Sequence, residues 1–214
     1  MIIRTGILCV PEIDDEAVTT IVQLLKTHLP TVLLVETTSA GSQRNWIEER
    51  LRCWCDEEEL DLVVTIGGTA PAAGPTAVEI VPEATHAVVE RPLPGFAEAM
   101  RAYAAEESLL AWLERGITGI RGHSLLINLP AGAAPALLFL EGIITLVEPV
   151  LLHLHTPQNA PSLSDVLTIQ SLDDSEDRQV GSSVDSSTAS PHSALQAKEF
   201  AVFLQRNSSP TNPP

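Results

Sequence analysis

The sequence predicts an α/β fold: a three-layer sandwich with a mostly parallel central sheet and helices on both faces. Three observations carry this. Short β-branched or leucine-rich runs alternate with longer stretches of helical periodicity, in the order strand, helix, strand, helix, strand. The third run, Leu62-Val63-Val64, is apolar at consecutive positions, as a strand covered on both faces requires. A glycine pair, Gly67-Gly68, follows where that strand would leave the sheet.

Each element has its own signal. The first strand falls within residues 1–10. Residues 14–29 form a helix: Asp14, Asp15 and Glu16 crowd its first turn, favourably for the dipole, and Val18, Ile21, Val22, Leu25 and Leu29 recur on one face. Pro30 ends it. Residues 31–36 make the second strand, and a polar loop leads to a helix over 46–59 with Trp46, Leu51 and Trp54 on one face. Residues 62–66 are the third strand. Pro82 and Glu83 open a helix over 82–89, and an alanine-rich helix follows over 97–113, with Met100, Tyr103, Ala104 and Leu110 to pack. Gly116, Gly119 and Gly122 mark turns before a strand over 124–129. Residues 130–135 form a loop that feeds one long apolar helix, 135–152.

That last run approaches membrane-spanning length, but Glu141, Glu148 and Pro149 interrupt it, and a carboxylate at the bilayer centre costs about 3 kcal/mol. No membrane role is expected; the helix reads as buried or facing another subunit. From Thr156 onward the composition turns to Ser, Pro, Asp, Gln and Thr, which offers too little apolar area to offset chain entropy. The organisation expected is a domain over 1–155 and a mostly disordered tail over 156–214, within which residues 193–204 are a candidate helix for a protein partner.

The net charge of −16, with only 12 Lys and Arg, argues against nucleic acid, whose phosphates call for clustered cations. The tail carries seven acids against three bases, so −12 of the −16 stays with the first 155 residues. An anionic ligand must then be held locally, by backbone N–H groups or a metal. Three cysteines, Cys9, Cys53 and Cys55, form no disulfide or zinc spacing and suit a reducing cytoplasm. His86, His123, His153 and His155 are scattered without acidic or Cys partners at ligand spacing.

Chemistry is expected beyond the third strand, because ligands of open α/β sheets bind in the crevice past the carboxyl ends of the strands. Gly67 and Gly68 lack Cβ atoms and admit a ligand to the main chain, while Thr65 and Thr69 flank them with hydroxyls. Asn128 and Arg121 are further candidates for ligand contact. No Gly-Lys-Ser/Thr follows the glycines and no G-x-G-x-x-G is present, which argues against a Walker loop and a dinucleotide site.

Four blocks, residues 61–69, 82–91, 94–101 and 115–130, carry a family resemblance in one order: DLVVTIGGT, PEATHAVVER, PGFAEAMR, and RGITGIRG with LLINLP. The chain is similar to the MoaB/Mog family of molybdenum-cofactor biosynthesis over residues 61–154. The resemblance implies molybdopterin as ligand, Mg²⁺ with ATP for adenylyl transfer onto the pterin's terminal phosphate, and a homotrimer. It further implies ligand contacts at Thr65, Gly67, Gly68, Thr69, Asn128, Pro130 and Gly132, with Glu79 as the catalytic, metal-binding carboxylate. There are departures. The family's Pro-Arg-Asp loop reads Ala77-Val78-Glu79 here, its Gly-Ser-Pro after Asn-Leu-Pro reads Ala131-Gly132-Ala133, and its acids after the first two strands are missing. Three readings therefore stand: an adenylyltransferase with an altered site, a non-catalytic molybdopterin binder, and an assembly protein.

Overall fold

In the computed structural model, residues 1–72 and 79–156 are described. Four parallel strands form the body of one sheet: β1 (Ile3–Cys9), β2 (Val32–Ser39), β3 (Leu62–Ile66) and, later in the chain, β6 (Ser124–Leu129). Two strands added at one edge, β4 (Arg91–Pro92) and β5 (Thr118–Arg121), run antiparallel to their neighbours. The order across the sheet is β2-β1-β3-β6-β5-β4. The expected mostly parallel sheet is thus observed, with two further edge strands: β4, for which the sequence reading had no element, and β5, where it read turns.

Helices cover both faces. Alternate residues of a strand point to opposite sides, so Ile7, Val64, Ile66 and Ile127 join one core cluster with α1 (Asp15–His28), α4 (Pro94–Ala105), α5 (Ala133–Glu141) and α6 (Ile144–His155). Leu8, Val10, Val63 and Leu126 join the other, with α2 (Arg44–Asp56) and α3 (Val81–Val88). Asp14 caps α1 by accepting from the Ala17 N–H at 3.0 Å, and Leu29 closes it just before Pro30.

Four details correct the sequence reading. The α2 stripe is Ile47, Leu51, Trp54 and Cys55, whereas Trp46, one position off that stripe, is 61% exposed. The alanine-rich helix stops at Ala105, and a 3-10 turn over Leu109–Leu113 follows, leaving Tyr103 and Leu110 exposed. The long apolar helix is two, α5 and α6, bent by 63°. Its apolar residues fill this chain's own core: Phe139, Leu140, Ile144, Val147 and Leu151 are buried. Among the described residues no single helix is long and apolar enough to cross a membrane. The tail expected beyond residue 155 lies outside the described residues, Thr156 apart.

Candidate functional site at the strand ends

The register sets the site. Ser39 pairs with Cys9, Cys9 with Ile66 and Ile66 with Leu129, so the four parallel strands end level with one another. Beyond that line the chain turns away at Val10-Pro11, at Gly67-Gly68-Thr69 and at Pro130-Ala131-Gly132. Gly67 has φ 91° and its N–H donates to the Leu129 carbonyl at 3.0 Å; a Cβ there would lie 2.2 Å from the Val10 carbonyl oxygen. Only glycine fits between the neighbouring strand ends. Gly68 follows at φ 67°, and its carbonyl accepts from the Val81 N–H at 3.1 Å, tying the loop to the start of α3. Gly132, at φ 90°, stands immediately before α5, where unpaired N–H groups and the helix dipole favour an anion.

Among the described residues, three open clefts surround this line. One of about 470 Å³ runs between Pro11, Asp14 and Gly132; another of about 480 Å³ lies between Ser39, Gln43, Trp46 and Arg50. The third, about 330 Å³ and mostly apolar, lies between Leu110, Glu114, Pro130 and Phe139.

Gly67, Gly68, Thr69, Pro130 and Gly132 stand together at the crevice, and Glu79 joins them: its Oε2 accepts from the Ala70 N–H at 2.7 Å. Thr65 and Asn128 lie deeper, on the strands themselves. They share a strand parity with Val63 and Leu126 and so face α3 beneath the loop, both buried. Asn128 Nδ2 donates to Thr65 Oγ1 and to Thr85 Oγ1, each at 2.9 Å, and its Oδ1 accepts from the Ile117 N–H at 3.2 Å. Both amide hydrogens are taken within the protein. Arg121 is also placed elsewhere: β5 runs against β6, so Arg121 sits opposite Ser124 at the far end of the sheet, bonded to Asp56 at 2.6 and 2.8 Å.

Sequence reasoning missed Glu114 and Arg115. Glu114 accepts from the Thr69 hydroxyl at 2.6 Å, the Arg115 N–H donates to the Thr69 carbonyl at 3.0 Å, and the Arg115 guanidinium donates to the Glu79 carbonyl at 3.2 Å and to the Glu83 carboxylate. Arg101 on α4 holds that segment from behind, donating to the Gly116 carbonyl at 3.0 Å. No local pattern marks these residues, because their contacts to the loop and α3 span 32 or more positions. Among the described residues no three His, Cys, Asp or Glu converge to hold a metal. The thiols are not poised for chemistry either: burial raises Cys9, and raises Cys55 to about 11.

Level strand ends, a glycine loop and a helix N-terminus define an α/β domain with an open crevice at the carboxyl ends of its parallel strands. Residues 1–153 match the family described as "Probable molybdopterin binding domain", and the chain belongs to that family. It is 47% identical over 90 residues to a molybdopterin adenylyltransferase of Helicobacter pylori, covering 42% of this chain and 49% of that protein. It is 33% identical over 130 residues to the Escherichia coli protein of the same name, 61% of this chain and 65% of that one. The chain thus spans about half to two thirds of the length of these curated relatives. Among solved structures, the molybdopterin biosynthesis enzyme MoaB of Thermus thermophilus superposes with a TM-score of 0.64 at 30% identity, covering 71% of this chain and 96% of that one. The Mog protein of Mycobacterium ulcerans, at 24% identity and TM-score 0.62, shares the fold.

Proposed function

We propose that the chain is a molybdopterin adenylyltransferase, which binds molybdopterin at the strand ends and transfers adenylyl from Mg-ATP to its terminal phosphate. The observation that carries this reading is the Glu79 carboxylate folded onto the Ala70 N–H at 2.7 Å, an acid set against the glycine loop of a domain in this family. Gly67 and Gly68 admit the ligand to the main chain. Thr69, buried beside the glycines, donates its hydroxyl hydrogen to Glu114 and so fixes the loop on which the ligand rests. Gly132 opens the α5 N-terminus to a phosphate, beside Pro130, which has no N–H and turns the chain away from β6. Thr65 and Asn128 hold the floor of the site.

In the transfer, a pterin phosphate oxygen attacks the α-phosphorus of ATP; that P–O bond forms, the α–β anhydride breaks and pyrophosphate leaves. The protein contributes position and neutralisation of charge. Mg²⁺ takes one or two carboxylates together with phosphate oxygens and water, so Glu79 beside the loop suffices to hold it with the triphosphate, where it would offset the phosphate charge.

The test is mass spectrometry of the purified protein incubated with molybdopterin, Mg²⁺ and ATP. Adenylylated pterin and pyrophosphate are expected, and Glu79→Gln lowers kcat by about 10²–10³-fold with the KM for pterin little changed. A wild-type protein that retains pterin and transfers nothing is a binder only. The same reading makes the protein a cytoplasmic homotrimer and assigns residues 193–204 to a protein partner. Leu109, Leu110, Trp112 and Leu113 are exposed together and favour subunit contact there. Light scattering that gives a monomer at micromolar concentration overturns the trimer.

A further inference from the structure

Arg115 reaches the glycine loop in two directions at once. Its main-chain N–H donates to the Thr69 carbonyl at 3.0 Å, its Nη1 to the Glu79 carbonyl at 3.2 Å, and its Nη2 to the Glu83 carboxylate on α3. Glu114 adds a grip on the Thr69 hydroxyl at 2.6 Å. The segment that makes these contacts is itself fixed: Arg101 donates to the Gly116 carbonyl at 3.0 Å, and a Cβ at Gly116 would lie 2.9 Å from the Asn128 carbonyl oxygen. The anchor is therefore attached to α4 and β6, outside the loop it holds.

Glu79 lies in neither a helix nor a strand, so its place is set by its contacts: its carboxylate on the Ala70 N–H and its carbonyl under Arg115. A guanidinium suits that task. Its planar fork of donors serves a carbonyl and a carboxylate in fixed directions, whereas a lysine ammonium is a point charge on a flexible stem.

We propose that Arg115 is a positioning residue: it sets Glu79 against Gly67-Gly68-Thr69 and acts through that carboxylate, not on the reactants. The consequence for turnover rests on the adenylyltransferase reading; the consequence for the loop does not. Two measurements separate them, amide hydrogen exchange at Ala70 and steady-state kinetics with Mg-ATP and molybdopterin. In Arg115→Ala, the Ala70 amide exchanges about tenfold faster or more, while β3 and β6 amides keep their protection. Its kcat falls about 10–100-fold with a KM for molybdopterin close to wild type. Arg115→Lys stays with the alanine variant. Millimolar guanidinium restores part of the kcat of Arg115→Ala and none of that of Glu79→Gln.

Because Arg115→Ala strands the Glu83 carboxylate, Arg115→Ala/Glu83→Gln is measured beside it and is expected to show the same fast Ala70 exchange. Wild-type exchange at Ala70 in both variants overturns the proposal. So does a loss of protection spread through β3 and β6 without guanidinium rescue, which marks a merely structural role. If the wild type transfers no adenylyl, the adenylyltransferase reading fails and the exchange at Ala70 alone decides the role of Arg115.

Discussion

At the scale of the residue, Gly67 is the position where the sheet leaves no room for a side chain. With φ 91° and the Val10 carbonyl oxygen 2.2 Å from any added Cβ, Gly67→Ala meets both backbone strain and a clash with main chain that cannot swing aside. We expect a loss of about 1–3 kcal/mol in urea unfolding, together with weaker pterin binding, because the β1 and β3 ends must part. Unchanged unfolding would show that the loop yields freely. This glycine was legible less from the pair itself, which after a strand most often marks a plain turn, than from the blocks of family resemblance around it. Thr65 and Asn128 were legible as strand-end polar residues but not by face. Period two gives the parity of a strand, and only the position of α3 decides that this parity looks inward to Thr85. Arg115 left no local signal, since its partners are 32 and 36 residues away.

At the scale of the element, the same contrast recurs. The alternation of strands and helices up to Ile66 was readable because each period persists over several residues. The β5 strand was not, because Gly119 there resembles a turn, whereas its missing Cβ admits Val89, whose Cγ1 would lie 2.3 Å from an added Cβ. The single apolar helix divides at Gly142, where a Cβ would meet Tyr103 Cβ at 2.8 Å; Gly142→Ala should therefore cost about 1–3 kcal/mol in thermal unfolding. The β5–β6 hairpin is pinned to α2 by Arg121 and Asp56. That guanidinium holds the Asp56 carboxyl below the ordinary carboxylate range, with burial opposing it. A depressed folded-state value means the pair stabilises at pH above the unfolded value and loses this as pH falls through the folded one. With both side chains partly exposed, Asp56→Asn should cost only about 0.2–1 kcal/mol at neutral pH, and the difference should vanish in strong acid. Equal stability of the two proteins at neutral pH would show the pair contributes nothing.

At the scale of the whole molecule, charge governs how the ligand arrives. The chain carries −16, and the cations nearest the glycine loop are already engaged, Arg115 with Glu83 and Arg101 with the Glu114 and Gly116 carbonyls. A phosphate-bearing pterin therefore approaches against a field of its own sign, and is held only once it reaches backbone N–H groups at short range. The screening length is about 30 Å at 0.01 M salt and about 10 Å at 0.1 M, so added KCl shortens the repulsion and leaves the short-range bonds nearly untouched. We expect the association rate of molybdopterin, followed by stopped-flow fluorescence at fixed Mg²⁺, to rise about two- to tenfold across that range, while the dissociation rate changes little. Proteins that collect phosphates through basic surfaces behave in the opposite sense. A rate that falls with KCl would place a local cation, Arg115 first among them, in control of the encounter and reduce the net charge to a bystander.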